Sequence, residues 1–184
     1  YDRGDGGVPY YAMELVEAAR WITAFADDES LAVRDRVAMM IDVCEAIHHG
    51  HSNGVSHRDL KPANILVDGA GRPRIIDFGI ARITDADITL TQQTAPGESP
   101  GTRAYMAPEQ FSTDADAIDA RCDVYALGVV LYEMLTGELP IGRFAAPSEK
   151  VRMDVRLDEV VLRSLEKDAD RRYQAVSEVK TGIA

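Results

Sequence analysis

The segment 123–135, which reads DVYALGVVLYEML, constrains the fold more than any other part of the chain. Its apolar side chains lie almost all round a helix instead of along one stripe, and such a helix has to be buried on every side. Tyr132 and Glu133 interrupt the apolar run, which is also too short to span a bilayer. Gly137 and Pro140 are stop signals directly after it. The segment therefore predicts a mostly helical protein built around one enclosed helix.

Weaker patterns predict the elements that surround this helix. Apolar residues recur at helical spacing from Val33 to His51 and again from Leu157 to Leu165, so each stretch predicts an amphipathic helix. Residues 173–183 are expected to form the last helix. The short runs of β-type composition, each expected to form part of a small hairpin, are 65–67, 74–76 and the two sides of the Gly-rich turn within 1–13.

The composition limits the classes of function. With 184 residues and 46% hydrophobic content, the chain can bury one sizeable core and is expected to be a single unit. Its formal net charge of -11 disfavours nucleic acid and anionic membranes as partners, because both are polyanions. Cys44 and Cys122 lack metal-ligand spacing and are expected to be buried thiols. No signal peptide or membrane span is visible, so we expect this segment to be cytoplasmic, with any membrane anchor outside it.

Three motifs follow one another along the chain: HRDLKPAN at 57–64, DFG at 77–79 and APE at 107–109. An isolated Arg-Asp dipeptide is usually a solvated surface pair, but three such motifs in this order do not arise by chance. Together they supply an acid, a cation and an amide followed by a second acid, the set that moves a phosphoryl group between oxygens with magnesium present. This arrangement closely resembles the catalytic half of a bacterial-type, eukaryotic-like serine/threonine protein kinase. The resemblance covers Val8 to about Ile183.

The resemblance implies a mainly α (α+β) fold, namely the large lobe of a protein kinase with small β-hairpins and with the small lobe largely absent. The chain would be a single partial kinase domain, residues 1–184. Within it, residues 1–13 would be the end of the small-lobe sheet, 14–20 the hinge and 21–184 the large lobe. The enclosed helix would be the central post of that lobe.

The resemblance also implies catalytic roles. Asp59 would accept or orient the proton of the substrate hydroxyl, and Lys61 would neutralise charge on the transferred phosphate and favour Ser/Thr over Tyr as acceptor. Asn64 and Asp77 would hold magnesium through oxygen atoms. Thr102 would bridge the catalytic acid and lysine, although an ordinary turn hydroxyl is the alternative. The residues expected to contact ATP are Glu14, Val16, Lys61, Asn64, Leu66 and Asp77.

Other residues of the motifs would act through structure. Phe78 would pack against His57 and so fix the neighbouring Asp of the DFG motif. Glu109 and Arg172 would form a buried ion pair. Asp123 would hold the backbone of the catalytic loop, residues 57–64, from the start of the central helix. The residues expected to act in this structural way are His57, Phe78, Gly79, Glu109, Asp123 and Arg172.

A regulatory role is implied for the basic residue before the catalytic acid. In the family, an arginine at the position of Arg58 goes with activation by loop phosphorylation. A phosphate on Thr94, or second on Thr91, would pair with Arg58 and with Arg82 and order the segment between them. The plain alternative is that Arg82 is a solvated side chain and that both threonines are polar content of a surface loop.

The chain departs from the family pattern before residue 57. No glycine-rich phosphate loop and no strand lysine occur there, and the glycines at 4–7 lack the G-x-G-x-x-G spacing. We therefore expect the parent protein to use MgATP to phosphorylate Ser or Thr of proteins. The isolated chain is expected to be inactive and to self-associate through an uncovered face. Because residues 141–150 are few and include Pro147, the helix after the central one is expected to be truncated.

The sequence leaves two other interpretations open. A non-catalytic kinase-like module that binds nucleotide or protein is the main alternative, against which the intact catalytic motifs count. A small-molecule kinase is disfavoured, because it would need neither the APE motif nor Arg172. His48, His49 and His51 have no carboxylate or thiol at ligand spacing, so packing or surface roles are expected for them.

Overall fold

The computed structural model describes residues 2–3, 9–10, 14–78, 102–112 and 118–184. The helices in these ranges are α1 (Ile22–Asp28), α2 (Val33–Ser52), α3 (Arg121–Thr136), α4 (Pro147–Lys150), α5 (Arg156–Ser164) and α6 (Val176–Ile183). The strands are β1 (Asp2–Arg3), β2 (Pro9–Tyr10), β3 (Arg20–Trp21), β4 (Ile65–Val67) and β5 (Pro73–Ile75). Far more of the described residues lie in helices than in strands, so the predicted mainly α fold class is confirmed.

Helix α3 is the enclosed central helix that its apolar surface predicts. Between Cys122 and Leu135, every residue is buried except Tyr125 and Glu133. The helix ends at Gly137, whose φ of 74° is the left-handed conformation that favours glycine at a helix C-terminus. The remaining helices therefore pack around α3 instead of leaving one of its faces to solvent.

The packing of α3 against α5 depends on a close approach at Gly128. A Cβ atom at this position would lie 2.7 Å from Cβ of Ser164, a separation that real side chains do not show. Ser164 is fully buried, and its hydroxyl donates to the carbonyl of Val160 within the same helix. The absence of a side chain at Gly128 thus sets the distance between the two helices.

Helix α2 packs with one face against α3 and α6. The amphipathic pattern predicted a helix that ends at His51, and the structure extends it to Ser52. Its buried residues include Met40, Val43, Cys44 and Ile47. Burial raises the pKa of the Cys44 thiol to about 12, which keeps it protonated at neutral pH. Cys122 is buried in the same way, so the expectation of two buried thiols is confirmed.

The small sheet has three strands instead of the two predicted around residues 65–76. Its order is β3-β4-β5, and all neighbours are antiparallel. Leu66 in the middle strand pairs with Trp21 on one side and with Arg74 on the other. Strand β3 was not predicted because two residues carry no readable alternation. A separate short hairpin pairs β1 with β2, in agreement with the prediction for residues 1–13.

The helix after α3 is short, as its proline and its length predict. Helix α4 covers only Pro147–Lys150. The segment before it is fastened to the core by Tyr132, whose hydroxyl donates to the carbonyl of Ala145 at 3.1 Å. Ser148 then binds the carboxylate of Asp158 in α5 through its backbone N–H and its hydroxyl. Across the described ranges, no helix is both long and apolar enough to cross a bilayer.

Candidate active site

The catalytic loop is held by a buried carboxylate at the start of the central helix. Asp123 has no exposed surface and accepts hydrogen bonds from the backbone N–H groups of His57, at 2.8 Å, and Arg58, at 2.7 Å. His51, from the end of α2, lies with Nε2 2.7 Å from the same carboxylate. A negative charge is favoured at this end of α3 because the helix dipole is positive there. The expected hold on the loop backbone is therefore present.

Arg58 takes a left-handed backbone conformation at the centre of this arrangement. Its φ is 65°, a value that costs roughly 1–3 kcal/mol for a residue other than glycine. The surrounding hydrogen bonds have to offset this cost. The backbone direction of the loop immediately before Asp59 is thus imposed by tertiary contacts and not by local preference.

Three polar side chains converge directly after this point. Lys61 Nζ lies 2.8 Å from Oδ2 of Asp59. Asn64 donates through Nδ2 to the same oxygen at 3.1 Å and to the backbone carbonyl of Asp59 at 2.7 Å. Because an amide nitrogen and an ammonium nitrogen both contact one carboxylate, the Asp59 side chain is held in one orientation. The structure brings together the acid, cation and amide that the motif spacing singled out.

The second acid follows the strand beside this cluster. The N–H of Ile76 donates to the carbonyl of Asn64 at 3.0 Å, so the backbone of Asp77 runs next to Asn64. Asp77 is exposed and has a φ of 61°, again in the left-handed region. The rings of Phe78 and His57 lie 5.1 Å apart, so the expected packing of these two residues is found. His57 Nε2 lies 3.0 Å from the carbonyl of Ile76, which ties the loop to this turn.

An open cleft runs from residues 14–18 to the same turn. Of the residues expected to contact ATP, Glu14, Val16 and Asp77 line it, together with Phe78. Leu66, Lys61 and Asn64 are not among its lining residues.

The APE motif is anchored to the core by a buried ion pair. Arg172 donates to both carboxylate oxygens of Glu109, at 2.6 and 2.7 Å. The guanidinium also donates to the carbonyls of Glu166, Lys167 and Arg121, so each of its nitrogen atoms has a hydrogen-bond acceptor although the side chain is buried. The expected pair of Glu109 and Arg172 is therefore present.

Residues 7–181 match the family model described as Protein kinase domain. The chain belongs to the protein kinase family. It is 37% identical over 203 residues to the serine/threonine-protein kinase PknB of Mycobacterium leprae and 32% identical over 207 residues to a probable serine/threonine-protein kinase of Streptomyces coelicolor. Both alignments cover 100% of this chain but only 32% and 30% of those relatives. The chain thus spans about a third of the length of the curated relatives it matches.

Solved structures agree with this assignment. The kinase domain of PknI from Mycobacterium tuberculosis superposes with a TM-score of 0.66 at 26% identity, over 90% of this chain and 61% of that one. A mutant of the same domain gives a TM-score of 0.68 at 27% identity, over 93% of this chain and 62% of that one. The helical packing described above is therefore that of a protein kinase.

Magnesium, which the kinase family implies, is compatible with the residues present. It prefers hard oxygen ligands. The nitrogen of the Asn64 amide is engaged with Asp59, so its oxygen is the atom that can be offered to a cation. Asp77 lines the cleft, and the N–H of the preceding Ile76 donates to the backbone carbonyl of Asn64. One amide oxygen and one exposed carboxylate are a donor set suited to magnesium.

Several contacts in this chain were not foreseen from the sequence. His51 was expected to have a packing or surface role, yet it pairs with the buried Asp123. Tyr105 donates its hydroxyl to Glu133 at 2.6 Å, which joins the segment before the APE motif to α3. Gln110 reaches the backbone of Arg58. No local pattern marks these residues, because each partner lies far away in the chain.

Burial raises the pKa values of both side chains in the hydrogen bond between Tyr105 and Glu133. It raises the pKa of Glu133, and the proximity of Asp27 raises it further, whereas the hydrogen bond from Tyr105 opposes this change. The pKa of Tyr105 is raised as well, chiefly by burial and then by Glu133. Tyr105 therefore remains a hydrogen-bond donor over the whole physiological pH range.

Some of the predicted site residues cannot be placed. Gly79, Arg82, Thr91 and Thr94 lie outside the described residues. Thr102 begins the 3-10 turn Thr102–Tyr105, of which only the backbone is described at that residue. Among the described residues, no group of three or more His, Cys, Asp or Glu side chains could hold a metal.

Proposed function

We propose that the protein containing this chain transfers the γ-phosphate of MgATP to serine or threonine hydroxyls of other proteins. The observation that carries the proposal is the convergence of Lys61 and Asn64 on the carboxylate of Asp59. A solvated surface acid is not usually held in place by both a lysine and a buried amide, and Asn64 is only 7% exposed. An acid fixed in this way is what a hydroxyl acceptor needs in order to attack a phosphate.

Each residue of the cluster has a definite task in this reaction. Asp59 would orient the acceptor hydroxyl and take its proton as the hydroxyl oxygen bonds to the γ-phosphorus and the bond to the bridging oxygen of ADP breaks. Lys61 would offset charge on the transferred phosphoryl group. MgATP supplies the phosphoryl group and a divalent cation, which Asn64 and Asp77 would hold. Glu14 and Val16 would bind the adenine edge through backbone groups.

The test uses the full-length protein with ATP labelled at the γ-phosphate and a mixture of Ser/Thr-containing proteins as acceptors. We expect label on serine and threonine, and its loss in Asp59→Asn with the fold unchanged by circular dichroism. Asp154→Asn is the matched control, because that carboxylate is exposed and, within the part of the chain that the structure describes, pairs with the neighbouring Arg156. Equal labelling by wild type and Asp59→Asn would refute the proposal. Nucleotide binding without any transfer would establish the non-catalytic alternative.

The chain on its own would not perform this reaction. Its 184 residues contain no glycine-rich phosphate loop and no strand lysine of the family type, so the phosphates of ATP would be held from one side only. Self-association of the isolated chain is also proposed, because Leu15 beside the cleft is 80% exposed. Sedimentation of residues 1–184 would show a concentration-dependent mass. Robust transfer by this piece, or a strict monomer at high concentration, would contradict these two expectations.

A phosphate on Thr94, or second on Thr91, would regulate the parent kinase. The phosphate would carry ~1.5–2 negative charges and pair with Arg58 and Arg82. Mass spectrometry of the full-length protein after incubation with MgATP should find the modification, and alanine at both threonines should lower activity. Unmodified threonines together with unchanged activity would rule out this switch.

A further inference from the structure

Gln110 connects the APE motif to the catalytic loop through both ends of its side-chain amide. It lies in the 3-10 turn Pro108–Phe111, directly after Glu109. Its Nε2 donates to the backbone carbonyl of Arg58 at 2.7 Å, and its Oε1 accepts from the backbone N–H of Ala107 at 2.9 Å. Arg58 and Gln110 are 52 residues apart in the sequence. The amide therefore bridges two segments that meet only in the folded protein.

The two partners leave the amide one possible orientation. The N–H of Ala107 can only donate, so it has to face the oxygen, whereas the carbonyl of Arg58 can only accept and has to face the nitrogen. The backbone N–H of Gln110 also donates to the carbonyl of Ala107, at 3.0 Å, so main chain and side chain both bind that residue. Reciprocal bonds of this kind hold a glutamine in one rotamer at the start of a helical turn.

The turn that carries Gln110 is itself fixed to the core. Glu109, the preceding residue, is held by the buried guanidinium of Arg172. The methyl group of Ala107 has no exposed surface. Gln110 therefore reaches Arg58 from a rigid base, and its donor atom acts as a fixed point.

The hydrogen bond from Gln110 acts on a strained part of the catalytic loop. Arg58 has a φ of 65°, and its N–H is bound by the carboxylate of Asp123. Its carbonyl belongs to the peptide group that continues directly into Asp59. The N–H of Arg58 belongs to the preceding peptide group, so Asp123 fixes the peptide between His57 and Arg58. The peptide between Arg58 and Asp59 is held at its carbonyl by Gln110 and at its N–H, which donates to Nδ1 of His57 at 3.3 Å. The plane of this peptide sets the direction in which the Asp59 side chain leaves the backbone.

We propose that Gln110 is a positioning residue that orients the carboxylate of Asp59 by clamping the peptide between Arg58 and Asp59. The proposal rests on the proposed kinase function. It goes further in linking the segment that ends in the APE motif to the catalytic acid by a single side chain. A shift of Ala107 would be transmitted to Arg58 and from there to Asp59.

The experiment compares two substitutions of Gln110 in the full-length protein. Gln110→Met has a similar length and removes both hydrogen bonds. Gln110→Glu keeps an acceptor for Ala107 but puts a carboxylate oxygen against the carbonyl of Arg58. Gln174→Met is the matched control, because the Gln174 amide nitrogen also donates to backbone carbonyls, those of Ala169, Asp170 and Arg172. The readouts are kcat, KM for ATP and for the protein acceptor, and amide hydrogen exchange of the catalytic loop.

For both Gln110 variants we expect kcat to fall about 10-fold or more, because a small misplacement of a catalytic group is costly. Both KM values should change by less than about 2-fold, since nothing that binds substrate has been removed. Exchange at residues 58–61 should become faster, and the control should keep kcat and slow exchange there. A wild-type kcat in both Gln110 variants, or an equal loss in Gln174→Met, would overturn the proposal.

Failure of the underlying function has a different signature. Wild type and Asp59→Asn would then be equally inactive, and Gln110 would have no catalytic acid to position, which would overturn the proposal as well. A functional kinase with Gln110 variants of full kcat would overturn the role of Gln110 alone. The two failures are thus separated by the wild-type measurement.

Discussion

Arg172 and Glu109, which are 63 positions apart in the sequence, form a bidentate ion pair with N–O distances of 2.6 and 2.7 Å. The Arg172 side chain has no exposed surface, and that of Glu109 is 12% exposed. The guanidinium carbon also lies 5.1 Å from the ring centre of Tyr125 in α3. The pair therefore joins the APE motif, the start of the central helix and the turn before α6 at one point.

Arg172→Ala should lower the free energy of unfolding by about 3–5 kcal/mol, because it leaves the Glu109 carboxylate buried without its counter-charge. Arg171→Ala is the control. Arg171 is 73% exposed and its Nε lies 3.7 Å from Asp168, so its loss should cost less than about 1 kcal/mol. Urea denaturation of the three proteins tests this. Equal stabilities of the two variants would show that the ion pair contributes nothing.

Asp123→Asn should destabilise the catalytic loop. The carboxylate accepts from two backbone N–H groups and lies against His51, whereas an amide has one oxygen and a donor group that would face another donor. One unsatisfied buried N–H costs about 1–3 kcal/mol. Asp119→Asn should cost much less, because Asp119 is 48% exposed and pairs with Arg121 at the surface. Hydrogen exchange at His57 and Arg58 would locate the effect, and unchanged protection there would contradict it.

Gly128→Ala should destabilise the protein although alanine is the better helix former by about 1 kcal/mol. The new methyl group would meet Cβ of Ser164 at 2.7 Å, and such overpacking costs about 1–3 kcal/mol. Ser164→Gly removes the obstructing atom, so the same change should cost less in that background. A double-mutant cycle measured by thermal unfolding tests the coupling. Strictly additive effects would mean that the two helices separate without resistance.

Glu133→Gln should change how stability depends on pH. Burial raises the folded-state pKa of Glu133 above its ordinary 4.5, so the folded protein binds the extra proton more tightly than the unfolded chain does. The stabilisation from Glu133 is therefore present below pH 4.5 and is lost as the pH rises through the raised pKa. The glutamine variant keeps an acceptor for Tyr105 and does not titrate. Its stability relative to wild type should increase from acidic to neutral pH, and a difference that is independent of pH would refute this.

The sequence predicted the long elements of this fold because their periodicity is repeated over many residues. Helix α2 differs from the prediction by one residue at its end, and α3 is enclosed as its apolar surface requires. The short elements α1 and β3 were not predicted, because they contain too few residues to show a pattern.

The candidate catalytic residues were also named from the sequence. Asp59, Lys61 and Asn64 lie within six positions, where local backbone geometry is enough to bring them together. The expected partners Glu109 and Arg172 came from the family resemblance, since nothing in their spacing indicates contact.

Only the tertiary structure decided how the catalytic loop is held. His51 meets Asp123 from 72 positions away, and Gln110 meets Arg58 from 52 positions away. Local motifs state which chemical groups are available, because they depend on neighbours along the chain. Which donor meets which acceptor depends on how α2, α3 and the APE turn pack. That packing is decided by burial of apolar side chains, and the pattern of apolar residues in the sequence does not indicate these polar pairs.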